Sequence, residues 1–124
     1  MPRRILVVDD NYDSAESLAL LLQLHGHEVR QAHDGVEAVE AAAAFAPEIV
    51  VLDIGLPKLN GYDAARQIRA LPSGKRIVLV ALTGWGQAAD RQRSAESGFD
   101  LHLVKPVNPE ALSKLIAGLP VTEA

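Results

Sequence analysis

The sequence predicts an α/β protein: a single-domain, doubly wound, five-stranded parallel sheet with five helices on its two faces. Three observations carry that expectation. Short runs rich in Val, Ile and Leu recur five times along the chain. Segments whose apolar residues repeat at helical spacing lie between them, and turn residues separate each from the next. Strands covered on both faces read as continuous apolar runs, and their alternation with helices builds a parallel sheet. The 124 residues suffice for one such domain with a self-sufficient core, expected over about residues 4–119.

The first strand is expected over residues 4–8, and a helix over 14–25 sets Leu18, Leu21, Leu22 and His25 at helical spacing before Gly26 stops it. A second strand follows at 28–32. The second helix spans 34–45, with Asp34 and Glu37 spaced for a capping box, an alanine-rich packing face and Pro47 beyond its end. Strand three covers 49–52 and helix three about 61–71, with Ala65 and Ile68 inward. Strand four covers 77–82, helix four about 87–97 before Gly98, and strand five 101–104. The last helix opens at Asn108, a good cap, with Pro109 in its first turn. Right-handed crossovers leave few windings for such a chain. The order 2-1-3-4-5 is a common one, and its ligand site lies beyond the carboxyl ends of strands one and three.

Bulk properties exclude several function classes. Sixteen acidic against twelve basic residues give a net charge of −4, and no Lys/Arg cluster with interleaved aromatics appears, so direct nucleic-acid binding is not expected. There is no cysteine, hence no disulfide framework or thiolate metal site. The apolar run after Arg3 and Arg4 is too short for a signal peptide, and no run reaches the length of a membrane span. A cytoplasmic protein without membrane attachment is the expectation.

The first strand, "ILVV", runs straight into Asp9 and Asp10, and the third, "VVL", into Asp53. In the expected order these carboxylates meet at the switch point, where their mutual repulsion calls for a cation or bound protons. An all-oxygen donor set favours a hard ion, and Mg²⁺ takes one or two carboxylates while keeping waters and a phosphate oxygen. Thr83 after strand four and Lys105 after strand five share this sheet edge, supplying a hydroxyl and an ammonium suited to phosphoryl oxygens.

The motifs "ILVVDD", "VVLDIGLP", "NGYD", "ALTG" and "LVKP", in this order and spacing, resemble the response-regulator receiver domain of two-component signalling, with its chemotaxis-regulator-like, flavodoxin-like fold. The resemblance implies that Asp53 is the phosphoacceptor, taking a phosphoryl group from a histidine kinase or phosphotransfer domain. It implies Asp10, Asp53 and the backbone carbonyl of Gly55 as Mg²⁺ ligands, and Asp9 as one acting through water. Lys105 matches the lysine that pairs with the phosphoryl oxygens, its bond to Pro106 being cis in the family. Thr83 matches the hydroxyl that signals the phosphoryl group's presence. The output implied is a shape change on the surface of helix four, strand five and helix five, read by a downstream protein, in a monomer or weak homodimer. Such a module is a signalling phosphoacceptor that assists its own phosphorylation and dephosphorylation, not an enzyme in the usual sense. It would act alone or as a receiver excised from a hybrid kinase, since little chain follows the last expected helix.

Two departures from the pattern stand out. His102 occupies the position three before the lysine where the family usually has Tyr or Phe, and is either a partly exposed strand histidine or a switch residue. Gly55 and Trp85 flank the expected path of the hydrolytic water with opposite effects: one has no side chain, the other can shield the site. "GWGQAA" fits a loose dinucleotide pattern but follows strand four instead of strand one. His25, His27 and His33 lack the spacing of a zinc site, and Lys58 and Asn60 read as solvated turn residues. Two rival functions are an Mg²⁺-dependent phosphatase with an aspartate nucleophile, which would want an Asp where Gly55 stands, and a degenerate receiver acting only as a binding module.

Overall fold

In the computed structural model, residues 3–54, 61–72, 74–83, 98–104 and 108–118 are described. Strand β1 (Arg4–Val8) leads into helix α1 (Tyr12–Leu24), β2 (Glu28–Ala32) into α2 (Gly35–Phe45), and β3 (Ile49–Asp53) precedes α3 (Gly61–Arg69). A 3₁₀ turn (Gly74–Arg76) comes before β4 (Val78–Thr83), followed by β5 (Leu101–Val104) and a C-terminal helix (Pro109–Gly118). All strands are parallel, in the order β2-β1-β3-β4-β5. The expected helix at 87–97 lies outside the described residues.

Alternation along the strands sorts the core into two layers. Ile5, Val7, Ile49, Val51, Val80 and Leu82 pack with Ala15 and Leu22 of α1 and with Leu112 and Ile116 of the C-terminal helix. Leu6, Val8, Val50, Leu52, Leu79 and Ala81 face the other way, onto Ala38 and Ala42 of α2 and Ala64, Ala65 and Ile68 of α3. Because the side-chain period of a strand is two, a slip of one residue would exchange the two layers, so packing on both faces pins the register. That register fixes which residues reach the carboxyl edge.

Several boundaries differ from the sequence expectation, each for a local reason. α1 starts two residues early because Asn11, not a later residue, is its cap: its Oδ1 accepts from the Ser14 N–H at 3.0 Å. His25, expected at the apolar spacing, is instead the exposed residue closing this helix, its Nδ1 2.9 Å from the Leu21 carbonyl. The Ile77 N–H is taken by the Gly74 carbonyl in the 3₁₀ turn, so the β4 ladder begins at Val78, whose N–H reaches the Glu48 carbonyl at 2.9 Å. The caps of α2 and of the C-terminal helix match expectation. Asp34 Oδ1 accepts from the Glu37 N–H at 2.8 Å, and Asn108 Oδ1 from the N–H groups of Glu110 and Ala111 at 2.9 and 3.2 Å.

One side chain ties the far end of the sheet together. Arg69, at the end of α3, donates to the carbonyls of Gly74, Ile77 and Gly98 and to Asp100 Oδ2, which also accepts from the Leu79 N–H. The planar guanidinium, with donors in a fixed fork, bridges carbonyls of the turn and of the approach to β5.

At the same end, the Arg3 N–H donates to His27 Nδ1 at 3.1 Å. Partial burial, then the charges of Arg3 and His25, push the His27 pKa down from its ordinary value, with Glu48 opposing them. With the folded value below the unfolded one, the unfolded chain binds more protons in the window just under the ordinary histidine pKa of about 6.5. Stability should therefore rise with pH across that window and fall as pH drops through it. The expected result is a thermal midpoint that decreases on acidification by more in wild type than in His27→Asn, whose amide oxygen can still accept from Arg3. Parallel curves would contradict it.

Candidate functional site

The carboxyl edge of the sheet gathers the acidic residues. β1 and β3 are neighbours, and one step beyond the Val8–Leu52 pair each presents a carboxylate, Asp9 and Asp53. Asp10 follows directly. Asp9, Asp10 and Asp53 each bring an oxygen within 4.8 Å of the others, with Asp9 and Asp53 buried and Asp10 exposed. β3 runs one residue further than the apolar pattern implied, so Asp53 is still part of the sheet, paired with Leu82. A site residue inside the ladder is held more rigidly than one on a loop.

The turn carrying Asp9 and Asp10 is pinned from both sides. The Asp9 N–H extends the β1–β2 ladder to the Ala32 carbonyl at 3.1 Å, and Asp9 Oδ1 accepts from the Asn11 N–H at 3.0 Å. Asn11 then caps α1. After Asp53, the Ile54 N–H continues to the Leu82 carbonyl, and the Gly61 N–H closes back onto the Ile54 carbonyl at 3.0 Å. Gly61 has to be glycine for this closure: a Cβ there would lie 2.5 Å from Ile54 Cα and 2.9 Å from the Asp53 carbonyl oxygen. Its importance escaped the sequence reading, which placed it only at a helix start.

Like charges at such spacing repel by about 1 kcal/mol in water and about 4 kcal/mol in a surface-like dielectric. A small divalent cation relieves that repulsion. The donors are hard carboxylate oxygens, two buried and one open to solvent, and this set fits Mg²⁺, which keeps part of its water shell.

The other predicted residues sit as follows. Thr83 is the last residue of β4, paired with Val104 and adjacent to the Leu82 that faces Asp53, so its backbone lies at the same edge. His102 lies in β5 opposite Ala81 and is half-buried. Gly55, Trp85, Lys105, Pro106, Lys58 and Asn60 lie outside the described residues, although Lys105 follows Val104, the last residue of β5. Of the three other histidines, His25 closes a helix, His27 bonds the Arg3 backbone, and His33 stacks on Tyr12 with ring centroids 3.7 Å apart. The stack and the Asn11 cap were not foreseen; Asn directly after the acidic pair was a readable cap signal.

A parallel sheet wound 2-1-3-4-5 with an acidic triad at its switch point defines a receiver domain. The chain belongs to the response regulator receiver domain family, whose match covers residues 5–117. It is 39% identical over 117 residues to the response regulator MprA of Mycobacterium ulcerans, an alignment covering 94% of this chain and 48% of that protein. The chain thus spans about half the length of this relative. Among solved structures, the receiver domain of a sensor histidine kinase from Pseudomonas aeruginosa PAO1, with magnesium coordinated in its active-site cleft, superposes with a TM-score of 0.85 at 31% identity, covering 94% of this chain and 95% of that one. The receiver of a Saccharomyces cerevisiae response regulator, co-crystallised with its histidine phosphotransfer protein, gives 0.87 at 31% identity over 94% and 87% of the two chains. Receiver domains accept phosphoryl groups from histidine kinases or phosphotransfer proteins, and the triad here is of the kind that binds Mg²⁺ in them. Among the described residues no helix is long and apolar enough to cross a membrane.

Proposed function

We propose that the protein is a phosphoacceptor of a two-component phosphorelay, taking a phosphoryl group on Asp53 from a histidine kinase or phosphotransfer domain. The convergence of Asp9, Asp10 and Asp53 within 4.8 Å at the carboxyl edge carries this reading. An Asp53 carboxylate oxygen attacks the phosphorus of phosphohistidine; the O–P bond forms as the P–N bond breaks, and the electron pair returns to the imidazole. Burial of Asp53 at the end of a central strand fixes the attacking oxygen and limits competing water. Asp10, Asp53 and the Gly55 carbonyl would hold Mg²⁺ directly and Asp9 through water. Mg²⁺ supplies charge neutralisation for the transferring group. Lys105 pairs with a phosphoryl oxygen, aimed by Pro106, and the Thr83 hydroxyl takes another.

The aspartyl phosphate adds close to two negative charges at one edge of the sheet. Thr83 and His102, on the adjoining strands β4 and β5, pass that change to the surface of β5 and the C-terminal helix, where a downstream protein reads it. Function as a signalling phosphoacceptor, alone or within a hybrid kinase, follows from this reading. It is tested by incubating the protein with acetyl phosphate and recording intact mass. A single phosphoryl adduct that needs Mg²⁺ and vanishes with EDTA is expected. No adduct at saturating Mg²⁺ would remove the proposal.

A further inference from the structure

The residues around the acidic turn contain a contact that phosphoryl chemistry does not call for. Tyr12, the first residue of α1, lies flat on the His33 ring, with centroids 3.7 Å apart and planes 7° from parallel. Stacked rings attract through their faces, so the contact itself needs no hydrogen bond to hold it. The His33 ring is also bonded at its edge, its Nδ1 lying 3.3 Å from Glu37 Oε1, while the Glu37 N–H is fixed by the Asp34 cap. The His33 Nε2 is buried and makes no hydrogen bond among the described residues. An aromatic ring at this position is therefore used for its face more than for its second nitrogen.

Connectivity gives the contact its meaning. The turn of residues 9–11 leaves β1 and enters α1, and both its ends attach to one two-residue segment. Its upstream end is the Asp9 N–H on the Ala32 carbonyl; its downstream end is the Tyr12 ring on the ring of the next residue, His33. Asp10 lies between these attachments, exposed, and no side chain among the described residues holds its carboxylate. Its direction is set by the backbone of the turn, and the two attachments hold that backbone to the end of β2, in addition to the Asp9–Asn11 bond and the Asn11 cap within the turn. We propose that the Tyr12–His33 stack is a clamp on the acidic turn, making Tyr12 and His33 positioning residues for the cation carried by Asp10. The inference rests on the Mg²⁺ reading of the site.

Tyr12 is 65% exposed, so removing its ring opens no core and the variant folds. The test follows the backbone amide shifts of residues 10 and 11 through an Mg²⁺ titration. Tyr12→Ala and His33→Ala should each raise the Mg²⁺ dissociation constant by about tenfold, the usual scale for losing an outer-sphere support. Both remove one contact, so the double variant should be no weaker than either single one. Tyr12→Phe and His33→Phe preserve the stack and should stay within about twofold of wild type; the second also removes the buried, unbonded nitrogen. Unchanged affinity in the alanine variants, additive losses in the double variant, or equal losses in the phenylalanine variants would overturn the clamp alone. A wild type that gives no Mg²⁺ response would overturn both the clamp and the proposed function.

Discussion

Asp53→Asn should keep the fold and abolish the phosphoryl adduct entirely. The substitution changes one carboxylate oxygen to an amide nitrogen at nearly constant volume, so the packing of Leu52 and the β3–β4 pairing through Leu82 are undisturbed. It removes the nucleophile, because an amide oxygen does not attack phosphorus at a useful rate. It also removes one of three like charges gathered within 4.8 Å. In Mg²⁺-free buffer the variant's thermal midpoint should therefore equal or exceed that of wild type, since repulsion between neighbouring carboxylates is relieved. The stabilisation that added Mg²⁺ gives wild type should shrink in the variant, as a ligand that binds only the folded state stabilises in proportion to its affinity. Intact mass after acetyl phosphate and a pair of melting curves with and without Mg²⁺ make the comparison. The same adduct on Asp53→Asn would place the phosphoacceptor elsewhere, and a large loss of stability in the absence of Mg²⁺ would mean that Asp53 is held for structural reasons.

That the acidic trio could be read from sequence has a physical cause. A strand buried on both faces is a run of apolar residues, so a charge at its end is conspicuous, and parallel winding sends every strand's carboxyl end to one edge. Asp9, Asp10 and Asp53 are legible for this reason. The order β2-β1-β3-β4-β5 was legible because handedness leaves few alternatives. Contacts that carry no periodic signal stayed hidden. Glu37 was placed correctly as a capping partner of Asp34, but its carboxylate lies against His33, a choice made by the exit geometry of β2. Tyr12 and His33 meet because α1 and β2 start and end side by side, and nothing in either local sequence announces the other. Gly61 lay in a recognised motif, yet its spacing could not show how closely the backbone of Asp53 and Ile54 passes.

That close passage predicts the second large effect. Gly61→Ala puts a methyl group 2.5 Å from Ile54 Cα and 2.9 Å from the Asp53 carbonyl oxygen, both backbone atoms with no rotamer to give way. Alanine is the better helix former by about 1 kcal/mol, so propensity alone would make the substitution stabilising at the start of α3. Steric overlap of this size forces a backbone shift that costs roughly 1–3 kcal/mol, and the clash should win. The shift falls on the two residues that end β3, where the Ile54 N–H bonds to Leu82 and the Gly61 N–H to Ile54. Asp53 therefore moves with it. A displacement near 1 Å at a reacting group can cost about a hundredfold in rate. The expected outcome is a lower urea midpoint together with slower adduct formation from acetyl phosphate, by tenfold or more on that scale. Gly118→Ala is the control, because nothing lies within 4 Å of a Cβ at that exposed helical position, and it should be neutral or stabilising by up to about 1 kcal/mol. A Gly61→Ala protein as stable as wild type would show that the β3–α3 connection yields freely. Loss of stability with an unchanged phosphorylation rate would show that Asp53 is positioned by the β3–β4 ladder alone, and not by the closure that Gly61 allows.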